Sequence, residues 1–334
     1  MKESIQEILD KKENIFIFDS SLKYYNYYGK QLKDLGYETK IVNLENPLLS
    51  DGWNPIDYIR YLYDNNEQGL LIDSIEYFAE EIFVKENPKN DPYWIDSARS
   101  LFIGSTLLLL KAYEKEIYKK PLDLNSLETV ISSASIKVNN KSGLTSSFLR
   151  NQVNKLERKN IIRRLLSPIV DAPSETRSSV ISVTLQKLNM YLYREDFSKS
   201  MSNAKFKVED INKDKTAIFV VGKKSLNPLV NVLLNQVITH TNKNNYKINV
   251  ILDSFDTLPI NSNINDIITN SNLLISVSDN NYLDYYKGIN LKKYLKESNI
   301  VCNKTYPIKE LEIVEEEYFD YPVFVLKSLM IDKN

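Results

Sequence analysis

Two aspartates in this chain each close an apolar run. Asp19 follows Ile15-Phe16-Ile17-Phe18, and Asp253 follows Ile248 to Leu252 and is itself followed by Ser254. If both runs are parallel strands, the two carboxylates stand at the carboxyl edge of a sheet, where open α/β folds bind ligands. A carboxylate pair there could organise Mg²⁺ on a phosphate. The simpler reading, which we prefer, is that each aspartate caps the turn or helix after it. Phosphate binding would also require a glycine-rich loop whose backbone N–H groups wrap the anion. Gly29-Lys30 lies in a tyrosine-rich helical stretch, and Gly222-Lys223-Lys224-Ser225 follows a strand but has no upstream glycine. Both read as ordinary chain.

Other residues with chemical potential are few. Arg150, Lys155, Arg158, Lys159, Arg163 and Arg164 form the one dense positive run, with Glu157 inside it. It reads as a solvated helix face, with nucleic-acid or partner contact as the alternative. Tyr24, Tyr25, Tyr27 and Tyr28 could stack on bases, but their adjacency spreads them around a helix, so half should pack inward. The single His240 ends the apolar stretch Leu229 to Ile238 and suits a helix C-terminus. The single Cys302 excludes an intrachain disulfide and a cysteine metal cluster.

Composition narrows the class. The chain has 334 residues, 43% hydrophobic and 26% charged, an ordinary balance for a globular protein. Its formal net charge of −1 argues against a dedicated nucleic-acid binder. Only 8 glycines are present, too sparse a supply for phosphate loops. No basic stretch followed by an apolar one opens the chain, so no signal peptide is expected. The longest apolar run, Leu101 to Leu110, would rise only ~15 Å as helix, half a bilayer core. A cytoplasmic protein without membrane insertion, metal or cofactor is expected.

The elements that must position these residues follow from periodicity. Residues 4–12 suggest a short helix, Ile15–Phe18 a strand, Asp19-Ser20-Ser21 a helix start, and Thr39–Leu44 a second strand. This β–α–β order indicates a parallel sheet. From Ile56 to about Val170 helical patterns dominate. Asp91-Pro92 starts one helix, with Trp94, Ala98, Leu101, Ser105, Leu108 and Ala112 on a single face. A polar connection is expected over 129–145, and one basic helix over 150–164. Strand patterns resume at 217–221, 248–252, 273–277 and 300–301. The division that results is an α/β domain in two halves, 1–55 and 171–334, with an inserted all-helical domain, 56–170.

The order of four segments resembles one known family. Phe16-Ile17-Phe18-Asp19 is similar to a strand ending in Asp-Pro-Lys-Gly-Glu, although only the Asp matches. Ser50-Asp51-Gly52-Trp53-Asn54-Pro55 looks like a Ser-x-x-Trp-Asn-Pro turn, and Asp91-Pro92-Tyr93-Trp94 like Asp-Pro-Phe-Trp. Val250-Ile251-Leu252-Asp253-Ser254-Phe255 looks like a Walker B strand, usually Leu-Asp-Glu-Phe. Over roughly residues 14 to 280 the chain resembles the coupling proteins of type IV secretion, the TraG-like conjugative DNA-transfer ATPases. The resemblance implies a RecA-like three-layer fold.

Departures from that pattern matter as much as the matches. About a dozen residues precede the first strand and none is glycine, so the phosphate loop is expected to be missing. Ser254 stands where the family's Glu acts on water, and a serine hydroxyl is no resting base. Ile275-Ser276-Val277-Ser278-Asp279 lacks the family's Gln. Asp19, Asp253 and Ser254 would then be a vestigial nucleotide and Mg²⁺ site. The expected function is a non-catalytic protein-interaction or assembly component of a DNA-transfer or secretion apparatus. The alternatives are an ATPase completed in trans, or a DNA-binding accessory. Two structural expectations accompany this: Trp94 buried in the helical core, and a vacancy or its repair beside Val250–Leu252.

Overall fold

The computed structural model of the protein describes residues 8, 10–19, 21–84, 91–117, 120–139, 145–213, 215–222, 224–259, 261, 263–277 and 301–302. The chain forms two compact units. One comprises Met1–Thr39, Asn212–Asn227 and Thr241–Asn334, the other Lys40–Ile211 and Pro228–His240. These units cut the chain elsewhere than the division at residues 55 and 170.

In the first unit, β-branched and aromatic runs make the sheet. Strand β1 (Asn14–Phe18) lies between β5 (Thr216–Val221) and β6 (Ile248–Leu252), parallel to both. Strand β7 (Asn272–Val277) pairs in parallel with β6, and β8 (Val301–Cys302) with β7. The strand order is β2-β5-β1-β6-β7-β8, with only Glu38 and Thr39 of β2 (Glu38–Asn43) belonging to this unit. Strands β1, β5 and β6 are buried at every position. That is why they read as unbroken apolar runs rather than as alternation. Strand β6 has a neighbour on each edge, so the vacancy expected beside Val250–Leu252 is closed by β1 and β7.

Helix α1 (Lys23–Asp34) lays Tyr24, Tyr28 and Leu32 into a core with Ile15, Ile17, Ala217, Phe219 and Ile251. Tyr25 and Tyr27 are only partly buried, so the tyrosines divide between inside and outside as their spacing predicts. At the opposite end of the strands an asparagine ladder fixes register. Asn14 donates to Asn212 O at 2.9 Å and accepts from Thr216 N at 2.9 Å, and Asn272 donates to Asn249 Oδ1 at 3.1 Å. Buried amides are tolerated there because they are paired. Of the helix expected at 4–12, residues 8, 10, 11 and 12 are described: the first three are helical and Lys12 is already a turn, with φ 57°. Residues 278–300 and 303–334, including the acidic stretch 310–320, lie outside the described residues.

The second unit contains α2 (Pro55–Asp64), α3 (Gln68–Ile82), α4 (Pro92–Glu114), α5 (Leu124–Ser132), α6 (Phe148–Asn154), α7 (Ile161–Val170), α8 (Ser174–Leu192) and α9 (Glu195–Ser202). It also contains residues 228–240 of α10 (Asn227–Lys243). It is not purely helical. Where a polar connection was expected, α5 runs to Ser132, and β3 (Lys137–Asn139) pairs antiparallel with β4 (Thr145–Ser147).

Asparagine or aspartate followed by proline starts two of these helices. Asn54 accepts from Ile56 N at 3.1 Å, and Asp91 from Tyr93 N at 2.9 Å. Helix α4 does bury Ala98, Leu101 and Ser105, but Trp94 is 37% exposed, its ring edge-on to Tyr93 at 5.2 Å. The expected burial of Trp94 is therefore wrong. A periodic stripe identifies a face, not how far along the helix its neighbours reach, and here the buried face starts one turn later.

The other tryptophan is the anchored one. Trp53 is buried and its Nε1 donates to Gln236 Oε1 at 3.3 Å, while Gln236 Nε2 donates to Pro55 O at 2.9 Å. Gly52, at φ +69°, precedes it, and a Cβ there would lie 2.6 Å from Ser200 O. Ser50 and Asp51 also satisfy the edge of β2: Asn43 N donates to Ser50 Oγ at 3.0 Å, and Ile41 N to Asp51 Oδ2 at 2.7 Å. The Ser50–Pro55 turn thus works as a structural hub.

Candidate functional site

The register Phe18↔Leu252 brings Asp19 and Asp253 to the same carboxyl end of two adjacent strands. Asp19 is buried, and its Oδ2 accepts from Tyr24 N at 2.8 Å and Tyr25 N at 2.9 Å, satisfying two free donors of the first turn of α1. Burial pushes its carboxyl above the usual range. The N–H groups of Tyr25 and Tyr24 oppose that rise, and the charge of Asp253 adds to it.

Asp253 is buried as well, and its oxygens are engaged by other side chains. Lys23 Nζ lies 2.7 Å from Oδ2, and Ser276 Oγ donates to Oδ1 at 2.7 Å. Tyr24 OH donates to the same Oδ1 at 3.4 Å. The Tyr24 phenol is driven far above its ordinary range, first by burial and then by the charges of Asp253 and Asp19. Lys23 also lies 4.9 Å from the centre of the Tyr24 ring. Ser254 takes a left-handed conformation, φ 56°, and its N–H donates to Ser276 Oγ at 2.9 Å. Sequence reasoning found the two aspartates and missed Lys23, Tyr24 and Ser276. Lys23 sits one turn after Asp19 at a helix start, a spacing that could have pointed to it. Ser276 carried no such signal.

The basic run is not one helix as expected. It is broken at Lys155–Asn160, because Asn160 accepts from Ile162 N at 2.9 Å and so starts α7 afresh. Arg150 pairs with Asp171 at 2.9 Å, Lys155 donates to Gln152 Oε1 at 3.2 Å, and Arg163 donates to Leu156 O at 2.6 Å. Lys159 is exposed. Arg158, Arg163, Arg164, Ser167, Pro168 and Asp171 line an open concavity of about 530 Å³.

The remaining candidates have structural surroundings. His240 does not end its helix, which continues to Lys243. It is buried, with Nε2 3.3 Å from Ile211 O and its ring edge-on to Tyr58 and Tyr61. Gly29 is buried within α1. Lys223 falls outside the described residues, so the loop Gly222–Ser225 is only partly seen. Among the described residues no group of three or more His, Cys, Asp or Glu could hold a metal ion. Among them, too, no helix is long and apolar enough to cross a membrane.

A family described as "Type IV secretory system Conjugative DNA transfer" matches residues 4–258. No curated protein sequence matches. Among solved structures, the bacterial conjugative coupling protein TrwBdeltaN70 in an unbound form is similar over 88% of this chain and 62% of that one, with a TM-score of 0.56 and 14% identity. The same protein in complex with sulphate covers the same shares, with a TM-score of 0.54 and 15% identity. The plasmid coupling protein TrwB in complex with the non-hydrolysable GTP analogue GDPNP gives 87% and 62%, a TM-score of 0.53 and 14% identity. The chain spans less than two thirds of the length of these structures. They show the RecA-like α/β fold that the sequence predicts.

Proposed function

The chain belongs to the type IV secretory system conjugative DNA-transfer family, and from that premise we propose that it acts there as a binding or assembly subunit that does not itself turn over nucleotide. The observation that supports this reading is the state of Asp253. A tethered ammonium, Lys23 Nζ at 2.7 Å, already provides the positive charge that a divalent cation would bring to this carboxylate. Ser276 and Tyr24 donate to its other oxygen. Ser254 offers only a hydroxyl beside it, which cannot serve as a resting general base. On this reading Asp19, Asp253 and Ser254 are a vestigial nucleotide site. Asp19 now caps a helix, and Asp253 anchors the start of the same helix through Lys23.

Protein contacts within a DNA-transfer or secretion apparatus are then the work left to the chain. Calorimetric titration of the full chain with ATP and Mg²⁺ is expected to give no saturable heat up to about 1 mM nucleotide. Micromolar affinity, with turnover abolished by Asp253→Asn, would overturn the proposal. Turnover that appears only after mixing with a second chain would establish the alternative, an ATPase completed in trans.

A further inference from the structure

The corner between α6 and α7 carries charge that the rest of the chain does not share. Residues 150–177 contain seven Lys or Arg against three Asp or Glu, whereas the whole chain has a net charge of −1. Within that corner, Arg150 is matched by Asp171 at 2.9 Å. Arg158, Arg163 and Arg164 have no carboxylate partner among the described residues, and all three line the concavity. An arginine without a carboxylate keeps a planar fork of donors for an oxyanion.

The surroundings of these arginines discriminate between oxyanions. Asp171 lies in the same wall but is matched by Arg150 at 2.9 Å, so the three arginines are the wall's excess charge. Pro168 lines the concavity, and Ile161, in the first turn of α7, is 46% exposed. A peptide can use all of this: its carboxylates meet guanidinium groups, and its apolar side chains meet proline and isoleucine. A nucleic-acid backbone can use only the arginines. A nucleic-acid interface draws its affinity from many phosphate contacts, whereas Arg163 here already donates to Leu156 O at 2.6 Å, which leaves Arg158 and Arg164 as the two of these arginines without a hydrogen bond among the described residues. A sequence pI of about 6.1 also provides no long-range attraction for a polyanion.

We infer that the Arg158–Arg163–Arg164 concavity is a docking site for an acidic peptide segment of a partner protein, one that carries two or three carboxylates among apolar side chains. The inference is independent of the state of Asp253 and would stand whether or not the chain hydrolyses nucleotide.

Fluorescence anisotropy with the full chain tests it. The probe is a fluorescein-labelled, C-terminally amidated peptide of twelve residues in which three glutamates are spaced among leucine, tyrosine and serine. A labelled single-stranded oligonucleotide of twenty nucleotides is the competitor class. The wild type is expected to bind the peptide, and the double variant R158Q/R164Q to bind it at least tenfold more weakly with an unchanged melting curve. Among the described residues these two side chains hold no hydrogen bond, unlike Arg163. The control K30Q/K199Q removes the same charge elsewhere and should bind like the wild type. Three results would overturn the inference: no peptide binding at about 1 mM protein, equal loss in the control, or oligonucleotide binding tighter than peptide binding and lost in R158Q/R164Q.

Discussion

Lys23 places its ammonium 2.7 Å from Asp253 Oδ2, joining the first residue of α1 to the residue that follows β6. The carboxylate is buried while the lysine side chain remains 47% exposed, so solvent screens one partner and not the other. The pair is therefore asymmetric. Its loss would strand a buried anion rather than two surface charges.

Lys23→Met is accordingly expected to destabilise the protein by about 1–3 kcal/mol near neutral pH, below the usual figure for a fully buried pair because Lys23 is half in water. Urea unfolding of the variant and the wild type measures the loss. Methionine keeps the aliphatic stem, so an unchanged stability would mean that the ammonium of Lys23 contributes nothing.

Glu81 gives a pH dependence with a defined sign. It is buried in α3, accepts from Asn231 Nδ2 at 3.0 Å, and burial pushes its carboxyl up to about 7. An unfolded chain releases this proton near the ordinary value of 4.5, so between 4.5 and about 7 the folded state binds the proton and the unfolded state does not. Stability is then fully present below the lower value and falls as pH rises through that window, by on the order of 3 kcal/mol. Glu81→Gln should flatten that part of the pH–stability curve. A curve for the variant that parallels the wild type would assign the dependence elsewhere.

Gly104 sets the approach of α7 to α4. A Cβ there would lie 2.6 Å from Leu166 Cγ and 3.2 Å from Leu165 Cβ, both on a packed helix. Gly104→Ala should cost about 1–3 kcal/mol through overpacking, despite alanine's better helix propensity. Adding Leu166→Ala should recover part of that cost in a double-mutant comparison of melting temperatures. Independent, additive effects would show that the two residues do not meet.

The two tryptophans should behave oppositely. Trp53→Ala is expected to cost about 3–5 kcal/mol, as a buried large-to-small change, and Trp94→Ala less than about 1 kcal/mol, as a surface one. Acrylamide should quench the emission of Trp53→Phe, which retains Trp94, far more than that of Trp94→Phe. Equal quenching of the two variants would contradict the exposure difference.

Local pattern was enough for part of this protein. The runs Ile15–Phe18, Ala217–Val221 and Ile248–Leu252 could only be buried strands, because each is short, apolar and bounded by turn or capping residues. Asp91-Pro92 and Asn54-Pro55 announced helix starts through backbone chemistry confined to a few neighbouring residues. The ordered set of motifs also pointed to the family. Other features depended on partners far away in the chain. Whether Trp94 is buried is decided by how far neighbouring helices reach along α4, which periodicity does not encode. The break at Lys155–Asn160 reflects a cap by Asn160 competing with continued helix, a contest settled by packing on both sides. The occupation of Asp253 by Lys23 and Ser276 joins residues 230 and 23 positions away in sequence. A charge pair of that kind has no periodicity to betray it. It exists only because parallel pairing of β1, β6 and β7 brings three carboxyl-terminal strand ends together, and that juxtaposition is a property of the sheet, not of any segment.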